Sequence, residues 1–156
     1  MNRALLAKAK LSRGVWIYKV GGSMDPIFVN VNQLYIQYTD EYKPGDIVLR
    51  GKVVHRIICI KKDLISTKGD NLRIKDNPCS TQEIIGRVTK IKTLEGCVYR
   101  ISADRMVYRI SKIESIINDY IGQIVGINIM KRTHTLITVL YHLNSRIVRR
   151  RRLKCY

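Results

Sequence analysis

The chain has 156 residues, which suits one domain, and 46% of them are hydrophobic, so it can bury a core and wholesale disorder is excluded. Its 29 Lys and Arg outnumber its 12 Asp and Glu, and the formal net charge of +17 predicts an anionic partner such as lipid headgroups, nucleic acid or an acidic protein. The uncharged stretches 120–130 and 133–145 are both shorter than the roughly 20 residues of a spanning helix, so no transmembrane segment is predicted.

Short strands separated by turn residues are predicted between residues 15 and 100. β-branched residues dominate runs that recur about every ten residues, a pattern typical of a sheet-rich domain. The runs are Val15–Tyr18, Leu34–Tyr38, Ile47–Arg50, Val53–Ile60, Leu64–Thr67 and Ile84–Lys92. Lys43-Pro44-Gly45-Asp46 is a turn signal ahead of the third run. We therefore predict a mainly β fold, with coiled antiparallel sheets in a barrel-like domain over residues 15–100.

The pattern changes in the C-terminal third, residues 101–156, which carries 11 basic and 3 acidic side chains. Apolar residues recur there at three- and four-residue steps, which predicts two amphipathic helices. They are Met106, Ile110, Ile113, Ile117, Ile121 and Ile124, then Leu136, Leu140, Leu143 and Ile147. A basic extension follows, and its arginines could contact an anionic membrane surface: Arg149, Arg150, Arg151 and Arg152. Residues 1–14 form a separate basic N-terminal segment in this interpretation.

Three short motifs occur in order and together favour acyl transfer. Gly21-Gly22-Ser23-Met24-Asp25-Pro26 offers a serine on a glycine-flanked turn, and Val54-His55-Arg56 places a histidine on a β-branched run. A serine hydroxyl needs a neighbouring base, and imidazole is suited to that role near neutral pH. Thr67-Lys68-Gly69-Asp70-Asn71, with Asp76 beyond it, supplies two carboxylates that could orient the imidazole.

Backbone groups could complete such a site. Gly21 and Gly22 allow the chain to approach a substrate carbonyl, and the Ser23 N–H could contribute to an oxyanion hole. No metal or cofactor is expected, because the cysteines at 59, 79, 97 and 155 and the histidines at 134 and 142 fall in no ligand spacing.

The segments GGSMDP, GDIV, VVHRI, TKGDN…D and IIGRV together resemble the type I signal peptidase superfamily, which includes LexA-like self-cleaving proteases. The bacterial-type enzymes and LexA-like proteins use a Ser–Lys dyad. The branch of the endoplasmic reticulum, archaea and some Gram-positive bacteria has histidine at the position of His55. The resemblance, over about residues 15–90, implies Ser23 as nucleophile, His55 as base and both Asp70 and Asp76 as essential acids. We assign the orienting role to Asp76 and a supporting role to Asp70. Met24 and Pro26 are expected to support the nucleophile turn, and Arg56 to brace the site through hydrogen bonds to carbonyls.

The chain departs from that family in two ways. Members usually carry an N-terminal membrane anchor, whereas about 20 polar-rich residues precede the serine motif here. Many have a small hydroxyl residue at the position of Gly21, so the oxyanion would depend on backbone N–H groups. The resemblance implies a serine endopeptidase that binds a precursor peptide or protein as an added strand and removes a signal or leader segment. Its expected location is peripheral to a membrane or cytoplasmic.

Two other functions stay open on the sequence. The charge of +17 favours a LexA-like regulatory or nucleic-acid-binding protein. Because no helix-turn-helix pattern precedes the peptidase motifs, we do not expect nucleic acid as the partner. An inactive relative that acts as a binding module is the third possibility, although Ser23, His55 and both acids are present.

Overall fold

The structure, a computed structural model, describes residues 12–25, 27–101 and the single residues 109, 112, 113 and 116. It contains eight strands: β1 (Val15–Tyr18), β2 (Val31–Gln37), β3 (Ile47–Arg50), β4 (Val53–Lys61), β5 (Leu64–Lys68), β6 (Cys79–Ser80), β7 (Ile84–Thr93) and β8 (Val98–Arg100). A 3₁₀ helix, Thr81–Glu83, precedes β7. The four isolated residues beyond 101 are helical. The rest of the two predicted helices and the arginines 149–152 lie outside the described residues.

All strand pairs are antiparallel and belong to one sheet, in the order β1-β2-β7-β3-β4-β5-β6. The ten-residue strand β7 lies at its centre, because β2 pairs along one edge while β3 and β8 share the other. The mainly β prediction is confirmed. The barrel-like closure is not observed, because within the described residues β1 and β6 end the sheet and do not pair with each other.

Two hydrophobic cores lie on opposite faces of this sheet. Ile47 belongs to the first core and Val48 to the second, as expected for successive residues of a strand. The first core is covered by the loop between β1 and β2, which contributes Met24 and Phe28. Since both faces are covered at β3 and β4, the polar residues of these strands must find partners inside the fold.

The first core predicts a clear stability difference between two apolar truncations. Ile36 is fully buried at the contact of β2 with β7, and Ile36→Ala should lower the free energy of unfolding by about 2–5 kcal/mol. Val53 is 45% exposed, and Val53→Ala should change the free energy of unfolding by less than about 0.5 kcal/mol. Urea unfolding of both variants measures this, and equal losses would contradict the described core.

Candidate active site

Strand β4 presents two polar neighbours, His55 and Arg56, to opposite faces of the sheet. His55 pairs with Val48 of the second core, whereas Arg56 pairs with Ile47 of the first. Both side chains are buried. Cross-strand partners share a face, so each side chain meets a different part of the segment that follows β5.

The His55 imidazole is held by the Asp76 carboxylate. His55 Nδ1 lies 2.6 Å from Asp76 Oδ2, and the Thr67 hydroxyl donates to the same oxygen at 2.6 Å. Thr67 lies on the His55 face because it pairs with Ile57, two residues along β4. The Asp76 N–H donates to the Thr67 carbonyl at 2.8 Å, so the backbone of Asp76 is held against β5.

This geometry sets the histidine tautomer. Burial acts to raise the pKa of Asp76, but the hydrogen bonds from His55 and Thr67 outweigh it and hold that pKa below its ordinary value of 3.8. Asp76 is therefore ionised at neutral pH and can only accept, so Nδ1 of His55 must carry the proton. A neutral His55 then has Nε2 as its proton acceptor, the state required of a general base.

Asp70, the second predicted acid, pairs with Arg56 and not with His55. Arg56 Nε and Nη2 donate to the two Asp70 oxygens at 2.9 and 2.8 Å, and Nη1 donates to the Gly45 carbonyl at 2.8 Å. Both side chains of the pair are at most 2% exposed. The structure thus places Arg56 as a brace, with Asp70 supporting the loop between β5 and β6.

The turn that carries Ser23 is attached to the same loop. Asn71 N donates to the Ser23 carbonyl at 2.8 Å, and Asn71 Nδ2 donates to the Gly22 carbonyl at 3.1 Å. Gly69 makes this approach possible, because a Cβ there would lie 2.7 Å from the Ser23 carbonyl oxygen. Continuing the β4–β5 register by one residue sets Gly69 opposite His55. The Ser23 turn is thereby attached to the loop that also carries Asp76, while the next residue, Met24, packs into the first core.

The half-buried Ser23 hydroxyl and the His55 imidazole are not hydrogen-bonded to each other within the described residues. Catalytic hydrogen bonds are commonly long without substrate and shorten in the Michaelis complex.

The flanking residues of the turn have separate roles. Gly21 has φ +80°, a backbone conformation that favours glycine, so a hydroxyl residue would be strained there. Asp25 N donates to the Gly22 carbonyl and closes the turn. Met24 is buried in the first core beneath it, whereas Pro26 lies outside the described residues.

Sequence reasoning missed Thr67, Gly69 and Asn71 as members of this site. All three lie in the segment TKGDN, in which only the aspartate is of a residue type that indicates a catalytic role. Strand alternation could have found Thr67, which is two residues from Gly69 and shares its face. The carbonyl contacts of Gly69 and Asn71 have no sequence signal, since they depend on a turn nearly 50 residues away.

Comparison with protein-family models, with curated proteins and with solved structures finds no match to this chain. Over the described residues, no helix is both long and apolar enough to cross a bilayer. The same part of the chain holds no group of three His, Cys, Asp or Glu side chains that could bind a metal ion.

The lowered pKa of Asp76 predicts a pH-dependent contribution to stability. The folded-state pKa lies below the unfolded value, so the contribution is fully present above about pH 4 and is lost as the pH falls through the folded value. Asp76→Asn should therefore be less stable than wild type at pH 7, and its deficit should shrink below pH 4. Urea unfolding across this range measures the deficit. The exposed Asp63→Asn is the control, and a deficit that stays constant to pH 2.5 would contradict the assignment.

Proposed function

We propose that this protein is a serine endopeptidase of the signal-peptidase type, built on a domain of that family. The observation that carries the proposal is the His55–Asp76 contact of 2.6 Å, since the loop that supplies Asp76 also holds the Ser23 turn through Asn71. Asp76 and Thr67 orient the buried imidazole so that Nε2 is the nitrogen that can accept a proton. This orientation is the one that general-base catalysis by His55 requires.

In the proposed reaction, Ser23 Oγ attacks the carbonyl carbon of the scissile peptide bond while its proton passes to His55 Nε2. Asp76 stabilises the imidazolium that forms. Backbone N–H groups around Ser23 donate to the oxyanion, since Gly21 offers no hydroxyl. The imidazolium then protonates the leaving amine. In the second half of the reaction His55 takes a proton from water, the water oxygen attacks the acyl carbon, and His55 returns that proton to Ser23 Oγ as the ester bond to Ser23 breaks.

The proposed substrate is an extended segment of a precursor peptide or protein. An extended chain can add to a sheet edge through main-chain hydrogen bonds, which need no particular side chain. Cleavage of a leader or signal segment next to small side chains is part of the proposal through the family resemblance of residues 15–90.

A fluorophosphonate probe tests the nucleophile without knowledge of the substrate. Ser23 Oγ should displace fluoride from phosphorus, and peptide mapping by mass spectrometry should find the adduct on Ser23. Ser23→Ala should abolish labelling, and His55→Gln should slow it at least about 100-fold because the base is lost. Ser12→Ala, at an exposed serine, is the matched control and should react like wild type. Absence of a Ser23 adduct, or labelling that His55→Gln leaves unchanged, would refute the assignment.

Gly69→Ala should displace the nucleophile turn while leaving the base in place. The added Cβ would clash with the Ser23 carbonyl at 2.7 Å, so we expect labelling to slow by about tenfold or more and stability to fall by about 1–3 kcal/mol. Gly86→Ala is a matched control, because its Cβ would lie 2.9 Å from the Gln37 carbonyl oxygen, away from Ser23. It should lose similar stability and keep its labelling rate per folded molecule. Equal loss of labelling in both variants would show that Gly69 has no positioning role.

A further inference from the structure

A cavity of about 400 Å³ lies where β3 and β8 meet the same edge of β7. β3 pairs with β7 up to Arg87, and β8 pairs with it from Lys90 onward. Val88 and Thr89, which separate these two pairings, both line the cavity. Small-molecule sites usually have volumes of roughly 300–1,000 Å³, so the cavity is large enough for such a ligand.

A β-bulge in β7 lies beside this cavity. Lys90 of β7 pairs with Tyr35, whereas the next residue of β2, Ile36, pairs with Val88. Thr89 is therefore an extra residue of β7 that has no partner in β2. Such bulges redirect the side chains around them and are frequent next to functional sites.

The bulge brings two cations to one face of the sheet. Residues three apart on a regular strand point to opposite faces, which would separate Arg87 from Lys90. Here Arg87 pairs with Gln37 and Lys90 with Tyr35, and these partners are two residues apart on β2. Both cations therefore lie on the face opposite the first core, and both line the cavity.

A third cation, Arg100 of β8, lies directly opposite Lys90 in the β7–β8 ladder. Like charges in directly opposite positions destabilise a sheet. The Lys90 Nζ lies 5.1 Å from the centroid of the Tyr35 ring, a contact that holds the ammonium without neutralising its charge. An anion bound between these two cations would offset their repulsion.

The loop before β3 completes the charged lining with Lys43 and Asp46. Asp46 Oδ2 already accepts from the Lys43 N–H at 2.9 Å and from Arg87 Nη1 at 3.3 Å. Asp40 and Glu41 precede Lys43 in this loop, but Asp46 is the acid that lines the cavity among the described residues. The lining therefore carries four cations against one acid that is already hydrogen-bonded.

We propose that this cavity binds a small molecule that carries a phosphate monoester. A phosphate monoester offers nearly two negative charges and three acceptor oxygens to guanidinium and ammonium donors, whereas a carboxylate offers one charge and two oxygens. None of the described residues that line the cavity is aromatic, so it has no surface on which nucleic-acid bases could stack. This inference goes beyond the proposed function and does not depend on it, because binding is measured without cleavage.

Isothermal titration calorimetry of the full chain with glycerol 3-phosphate tests the cavity. The titration is made at roughly pH 8, where the phosphate is a dianion, and in roughly 0.15 M salt, which screens the long-range attraction of the charge of +17. Wild type should bind this ligand. Glycerate, which also has three carbons but carries a carboxylate, should bind about tenfold more weakly because it offers less charge and fewer acceptors.

Substitutions at two exposed cations of the lining should separate binding from folding. Lys43→Gln and Arg100→Gln should each weaken glycerol 3-phosphate binding about tenfold, because a charge-assisted hydrogen bond is lost. Thermal unfolding without ligand should show Arg100→Gln at least as stable as wild type, since the repulsion with Lys90 is relieved.

The matched control is Lys52→Gln, which changes an exposed lysine at the other end of β3. It should bind glycerol 3-phosphate within about twofold of wild type. The proposal is overturned if glycerate binds as tightly as glycerol 3-phosphate, if Lys52→Gln loses as much affinity as the two lining variants, or if Arg100→Gln is less stable than wild type. A chain that binds single-stranded RNA but not glycerol 3-phosphate would overturn it as well.

Discussion

The buried ion pair of Arg56 and Asp70 fixes the segment on which the candidate site depends. This pair holds the start of the loop after β5 against β4, and the same loop then supplies Asn71 to the Ser23 turn and Asp76 to His55. Removing one partner of a buried pair leaves an uncompensated charge and typically costs about 3–5 kcal/mol. A single neutral hydrogen bond contributes only about 0.5–1.5 kcal/mol, so the buried ion pair is the stronger constraint on this loop.

Strand geometry explains why Asp70 and Asp76 have different partners. Asp70 is two residues beyond Lys68, which pairs with Arg56, and it lies on the Arg56 face. Asp76 returns to Thr67, on the face of His55. One acid therefore stabilises the fold and the other orients the candidate base.

Much of the sheet could be predicted because its strands are β-branched and bounded by turn residues. The runs at β1, β3, β4, β5 and β7 match the strands within one residue at each end. The two-residue β6 and the three-residue β8 were not predicted, because strands this short show no hydrophobic periodicity. Closure of the sheet was predicted from the number and spacing of strands, but these do not determine whether the first and last strands meet. In the candidate site, Ser23, His55 and Asp76 could be predicted because their residue types are typical of catalytic chemistry. Gly69 could not be predicted, because its role is to have no side chain where the Ser23 carbonyl approaches.

The placement of His55 and Arg56 side by side on one strand has a consequence for the turn that precedes them. Gly51 and Lys52 join β3 to β4, and the register of the hairpin decides which of the two neighbours faces which core. A slip by a single position would exchange the imidazole and the guanidinium. Insertions or deletions in this connection should therefore be tolerated in homologous chains only when they keep His55 opposite Val48 and Arg56 opposite Ile47.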